Sequence, residues 1–132
     1  MAALDVTRPG VVLAVADVAR SVAFYERLGF AVDALYEDPA FAILVGWGMR
    51  LSLAEQGHPA EDRPNVAMVA PEDPSRMPVV LVLEVRDVRA EHAALAAEGV
   101  PFMTDPISPP WGGCRVFAVD PDGYPVELEQ LA

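Results

Sequence analysis

Apolar and polar positions follow one another in two recurring rhythms along this chain. Val11-Val12-Leu13-Ala14-Val15 and Val79-Val80-Leu81-Val82-Leu83 are short apolar runs rich in β-branched residues and bounded by Gly or Pro, so both predict strands. Each is followed by an Asp and then by apolar residues at helical spacing. These are Val18, Val22, Tyr25 and Leu28 after Asp17, and Val88, His92 and Leu95 after Asp87. Asp17 and Asp87 stand where an N-cap belongs, with a short side chain able to accept from a free helix N–H. Gly29 and Gly99 stand where a helix stops at positive φ. A strand and a hairpin then follow. Phe41–Val45 and Met49–Ala54 flank Gly46-Trp47-Gly48, while Arg115–Val119 and Pro125–Glu129 flank Asp120-Pro121-Asp122-Gly123. In the latter turn Pro suits position i+1 and Gly takes the left-handed site that pins the register.

The two rhythms are a repeat. An offset of 70 residues aligns Val15-Ala16-Asp17-Val18 with Val85-Arg86-Asp87-Val88, Ala23 with Ala93 and Gly29 with Gly99. Each copy reads β-α-β-β-β. The predicted class is α+β, with two tandem βαβββ modules at residues 1–54 and 79–132. Residues 55–78 between them hold Pro59, Pro64, Pro71, Pro74 and Pro78 and read as a linker or lid. Within that stretch Asn65–Val69 is a candidate edge strand.

Composition narrows the function. The 132 residues are 53% hydrophobic and 22% charged, which suits one globular domain and not a disordered chain. Twenty acidic residues face nine basic ones, for a net charge of −11. All nine are Arg. Such a polyanion is a poor nucleic-acid binder, and its charge favours cationic or neutral small molecules. No 18-residue apolar run and no secretory leader is visible, so a soluble cytoplasmic protein with no membrane partner is expected. Cys114 is alone, which rules out an internal disulfide and a cysteine-only metal site. Without Lys, a phosphate-cradling G-x-x-x-x-G-K loop is impossible.

The stretches VADVARSVAFYERLGF (15–30), VRDVRAEHAALAAEGV (85–100) and WGGCRVFAVDPDGYPVEL (111–128) carry a resemblance. With the doubled βαβββ pattern, the chain resembles the vicinal oxygen chelate superfamily of glyoxalase I, bleomycin-resistance proteins and extradiol dioxygenases. The resemblance implies a curled mixed sheet around a cavity with helices outside. It also implies a homodimer, sometimes with exchanged modules. Enzymes of the family hold a divalent metal there with His, Gln or Glu from the first and last strands of each module.

By alignment those positions fall at Gly10, Ser52, Val80 and Glu127. Only Glu127 is a good ligand, and one carboxylate does not hold a catalytic metal, which takes at least three protein ligands. His58 lies in the Pro-rich stretch and reads as a solvated loop residue; His92 reads as a helix-face residue. No metal and no other cofactor is expected.

Strand alternation then sets what a cavity would offer. Gly10, Val12 and Ala14 share a face, as do Val80, Val82 and Glu84; Arg50, Ser52 and Ala54; and Pro125, Glu127 and Glu129. The wall is mostly apolar, and Gly10 and Ala14 leave room. Glu84, Glu127, Ser52 and Arg50 are candidate polar contacts, each with a plainer reading as a solvated, ion-paired or space-filling residue. Trp111, between Pro109-Pro110 and Gly112-Gly113, is the sharper feature: either a rigid stacking surface beside the ligand or an indole packed under its own loop. A similar Pro-Trp-Gly loop lies near bound drug in the bleomycin-resistance branch that the chain resembles. Trp47, Phe41 and Phe102 are candidate wall residues with core packing as the alternative. Cys114 has no His nearby in sequence and reads as no nucleophile.

The reading that results is a metal-independent protein of the glyoxalase/bleomycin-resistance type. It sequesters an antibiotic- or metabolite-like molecule, planar or cationic, in an aromatic-lined groove, and is more a binding protein than an enzyme. The first alternative is a metal-free isomerase or tailoring enzyme with Glu127 or Glu84 as general base. The second is a metal-dependent glyoxalase or dioxygenase, which requires a different strand register.

Overall fold

Two aspartates start the two helices. The Asp17 carboxylate accepts from the Arg20 N–H at 3.1 Å, and the Asp87 carboxylate accepts from the Ala90 N–H at 3.1 Å. The helices span Val18–Leu28 (α1) and Val88–Ala97 (α2). Chain direction then changes at Gly29 and Gly99, with φ of 115° and 90°. The structure is a computed structural model describing residues 2–132, and each helix belongs to its own compact unit. The first unit ends at Ala70 and the second is Pro71–Ala132, so the division falls inside the Pro-rich 55–78 stretch.

The first unit holds strands Gly10–Val15 (β1), Ala31–Glu37 (β2), Ala40–Gly46 (β3) and Met49–Glu55 (β4), in the order β1-β4-β3-β2. β1 runs parallel to β4 and the other pairs are antiparallel. Leu13, Val15, Leu44, Leu51 and Leu53 alternate onto one face and are buried, with α1 over β3 and β4. Each such leucine contributes about 1.5–3 kcal/mol by leaving water. Val18, Ser21, Val22, Phe24 and Tyr25 are the buried positions of α1.

Residues 56–70 fold back on themselves. The Gly57 N–H donates to the Met68 carbonyl at 2.8 Å, and the Ala70 N–H donates to the Gln56 side chain at 2.9 Å. The Arg63 guanidinium donates to the carbonyls of His58 and Val66. Asn65–Val69, expected as an edge strand, is irregular instead. Its backbone bonds locally: the Val66 N–H donates to the Arg63 carbonyl, the Val66 carbonyl accepts from the Arg63 guanidinium, and the Met68 carbonyl accepts from the Gly57 N–H.

The second unit holds Leu81–Glu84 (β5), Cys114–Val119 (β6) and Pro125–Gln130 (β7), in the order β5-β7-β6. β5 is parallel and β6 antiparallel to β7. Asp120 fixes the β6–β7 turn, its carboxylate accepting from the N–H groups of Asp122 and Tyr124, and Gly123 takes φ +94°. Val88, Cys114, Val116 and Leu128 form the core beneath α2. The strand expected after α2 is reduced to bridges at Phe102↔Ala118 and Ile107↔Arg115. Pro101, Pro106, Pro109 and Pro110 lack N–H donors, so a full ladder cannot form there. The α+β class stands, as two mixed sheets with few helices. Among the described residues no helix is long and apolar enough to cross a membrane.

Candidate functional site

In each unit the candidate polar residues of the sheet lie on the face turned away from the helix. In the second unit this open face follows from register: Val82 pairs with Glu127 and Glu84 with Glu129 across β5–β7, while Phe117 pairs with Glu127 and Arg115 with Glu129 across β6–β7. These residues alternate with the core positions Leu81, Val116, Val126 and Leu128 and therefore share the opposite side. Ile107, bridged to Arg115, continues it.

Trp111 stands beside this face, 70% exposed. Its loop turns tightly through Gly112 and Gly113, at φ +98° and +76°. A Cβ on Gly113 would collide with the Gln130 carbonyl, so no other residue lets the loop pass β7 this closely. The Arg115 guanidinium carbon lies 5.5 Å from the Trp111 ring centre and 5.6 Å from that of Phe117. Both distances are within cation–π range. Trp111, Cys114, Arg115, Glu129, Gln130 and Leu131 help to line a surface hollow at this end of the sheet.

Glu127 is the buried carboxyl of the face, 9% exposed. Burial pushes its pKa above the usual carboxylate range, and the neighbouring charge of Glu129 pushes the same way. Arg115 opposes this in part. Glu84 is on the same face and exposed, as is Val82. Three carboxyls therefore share the surface with one guanidinium and three apolar or aromatic groups.

In the first unit Gly10 pairs with Arg50, Val12 with Ser52 and Ala14 with Ala54; Phe41 pairs with Ala54 on the other side of β4. Ser52 is 1% exposed, and its hydroxyl accepts from Arg50 Nε at 3.2 Å. Tyr36, paired with Phe41 across β2–β3, brings a second ring to this face, with centres 6.3 Å apart. Val12↔Ser52 and Val82↔Glu127 occupy equivalent registers, so the repeat carries through to the two open faces.

The remaining residues sit elsewhere. Trp47, at φ +51° on the β3–β4 hairpin tip, is edge-on to Phe30 at 5.1 Å and covers Gly29, where an added Cβ would lie 3.1 Å from the indole. Phe102 is on the helix side of its sheet, packed on the Val88–Leu128 cluster and edge-on to His92 at 4.6 Å. His58 lies 3.5 Å from the Glu55 carboxylate in the loop after β4. Cys114 is a buried core residue. Sequence reading passed over Arg115 and Phe117, although the buried–exposed alternation of CRVFAV beside a register-fixing turn places both on Glu127's face.

The positions at which the resemblance places metal ligands do not fit a metal. Gly10 offers no donor, and it does not leave the room expected of it: a Cβ there would lie 2.6 Å from the Arg50 carbonyl. Ala14, 2% exposed, is equally closed. Ser52 already accepts from Arg50. Val80 has no donor atom, and Glu127 stands alone with its acidic neighbour. Among the described residues no group of three or more His, Cys, Asp or Glu side chains is placed to hold a metal ion.

Comparison with known proteins gives a consistent family. The model of the Glyoxalase/Bleomycin resistance protein/Dioxygenase superfamily matches residues 8–128. Among solved structures, a glyoxalase/bleomycin resistance protein/dioxygenase from Nocardioides is 23% identical with a TM-score of 0.79, over 99% of this chain and 86% of that one. A bleomycin resistance determinant encoded on the transposon Tn5 is 25% identical with a TM-score of 0.65, over 92% and 95%. TnmS3, an antibiotic-binding protein from Streptomyces sp. CB03234, is 25% identical with a TM-score of 0.70, over 100% and 99%. Among curated protein sequences none matches.

Proposed function

The chain belongs to the Glyoxalase/Bleomycin resistance protein/Dioxygenase superfamily, and from that premise we propose that it binds and sequesters a small organic molecule without a metal. The observation that carries this is Trp111: a largely exposed indole on a glycine-fixed loop, sharing Arg115 with Phe117 and lining one hollow with Glu129. Trp47 is nearly as exposed, at 67%, so it is the setting of Trp111 that counts: a flat ring beside carboxyls suits a planar, cationic ligand. Likeness to a bleomycin resistance determinant and to an antibiotic-binding protein supports an antibiotic-like molecule. The open face of the first unit, with Val12, Phe41 and the Arg50–Ser52 pair, is the repeat's counterpart of this surface. Homodimerisation and a cytoplasmic location belong to the same proposal, the first checked by light scattering.

Trp47→Phe leaves Trp111 as the sole indole. Titrating that variant with quinone and glycopeptide antibiotics in the presence of EDTA is expected to quench its fluorescence saturably. A folded protein whose Trp111 responds to none of them contradicts the proposal.

A second reading has its own observation. Glu127, buried and raised in pKa, is suited to act as a general base in a metal-free isomerisation, more so than exposed Glu84. Turnover lost in Glu127→Gln with binding retained identifies an enzyme; binding with no turnover in the wild type identifies sequestration.

A further inference from the structure

The aromatic surface of the second unit already holds a planar cation, and that cation is the protein's own. Arg115 lies over both Trp111 and Phe117, at 5.5 and 5.6 Å from the ring centres. A guanidinium is flat, delocalised and weakly hydrated, which is why it stacks on rings at modest desolvation cost. Its direct neighbour across the β6–β7 ladder is Glu129, and Glu127 lies opposite Phe117 two pairs further on, the next pair on this face. Directly paired side chains of antiparallel strands are within contact distance. Arg115 therefore has two sets of partners in reach: the two rings it now covers, and two carboxyls that would receive it.

We propose that Arg115 is a displaceable stand-in, covering the Trp111–Phe117 surface until the planar cationic group of a ligand, of the amidinium or guanidinium type, takes its place and sends it to Glu129 and Glu127. This rests on the binding function proposed above and narrows the ligand class. Such an exchange keeps one cation on the rings in both states. It also neutralises a carboxyl when the ligand arrives, and the remaining acidic groups, Glu84 among them, still attract the ligand. A ligand that lacks the positive charge would have to displace Arg115 without replacing its interaction.

The test uses the intact chain with 2-naphthamidine and its uncharged counterpart 2-naphthamide as probes. The chain has nine arginines and no lysine, so side-chain Nε–H spectra are simple, and Arg115→Lys identifies the signal. In the free protein that signal is expected upfield of the others, from the ring currents of Trp111 and Phe117. Addition of 2-naphthamidine should move it downfield. Arg115→Ala uncovers the rings, so it should tighten both probes about two- to fivefold, the value of an exposed cation–π contact. Removal of charge alone would tighten only the amidine. Binding that leaves the Arg115 signal in place, or weakens for 2-naphthamide in Arg115→Ala, shows a fixed post supporting the indole; the inference then falls and the binding function stands. If neither probe perturbs Trp111 in wild type or variant, both fall together.

Discussion

Gly113 and Glu127 show how single positions constrain the candidate surface. Gly113 combines positive φ with an approach to the Gln130 carbonyl that leaves no space for a Cβ. Gly113→Ala is expected to cost about 1–3 kcal/mol through backbone strain and to loosen the Trp111 loop. Calorimetry checks the first effect, and the exposure of Trp111 to a soluble quencher checks the second. Glu127 acts through its proton. Its carboxyl has a higher pKa in the folded protein than in the unfolded chain, so the folded state binds the proton more tightly. Its contribution to stability is complete below the ordinary carboxylate range and is lost as pH rises through the folded value. Glu127→Gln should raise the melting temperature at neutral pH and flatten the decline across that window. An unchanged profile would mean that Glu127 is solvated. At this scale the sequence was only partly informative. Alternation put Glu127, Glu84 and Val82 on one face, as found, but nothing local in the chain told that Arg115 would lie over two rings or that Phe102 would turn toward α2. Those outcomes depend on contacts between residues far apart in the chain.

Elements follow local chemistry more faithfully. Both helices begin at the aspartate that the pattern picks out, α1 is capped at Gly29, and α2 is capped at Glu98 with Gly99 turning the chain just beyond, because capping is satisfied within four residues of the chain. Asp17→Ala and Asp87→Ala should each cost about 1 kcal/mol, read as a lower urea midpoint with unchanged slope. An asparagine at either position should restore most of it. The hairpins also agree with expectation, since Gly48 and Gly123 supply the positive φ their turns need. Two segments depart from it, Asn65–Val69 and the strand expected after α2. Both are proline-punctuated or side-chain-bonded stretches whose backbone found partners outside a ladder. The repeat suggested the strand after α2, where four prolines lack the N–H donors a ladder needs, while Asn65–Val69 bonds locally to Arg63 and Gly57. The β5 strand is shorter than its apolar run, starting at Leu81 and not at Val79.

For the molecule as a whole, the 70-residue offset was the most informative feature. It anticipated the equivalence of Val12↔Ser52 with Val82↔Glu127. The repeat has also diverged. The first open face pairs a neutral hydroxyl with Arg50, whereas the second pairs carboxyls with Arg115 and an exposed indole. That divergence, with Gly10 closed by the Arg50 carbonyl, argues for binding by stacking and charge in place of metal coordination. The most direct test is backbone amide mapping by nuclear magnetic resonance of the full chain with EDTA present, titrated with a planar cationic antibiotic. Saturable shifts centred on Trp111, Arg115, Phe117, Glu127 and Glu129 are predicted. Shifts that avoid these residues, or that arise only once a divalent metal is restored, would contradict metal-free binding at this surface.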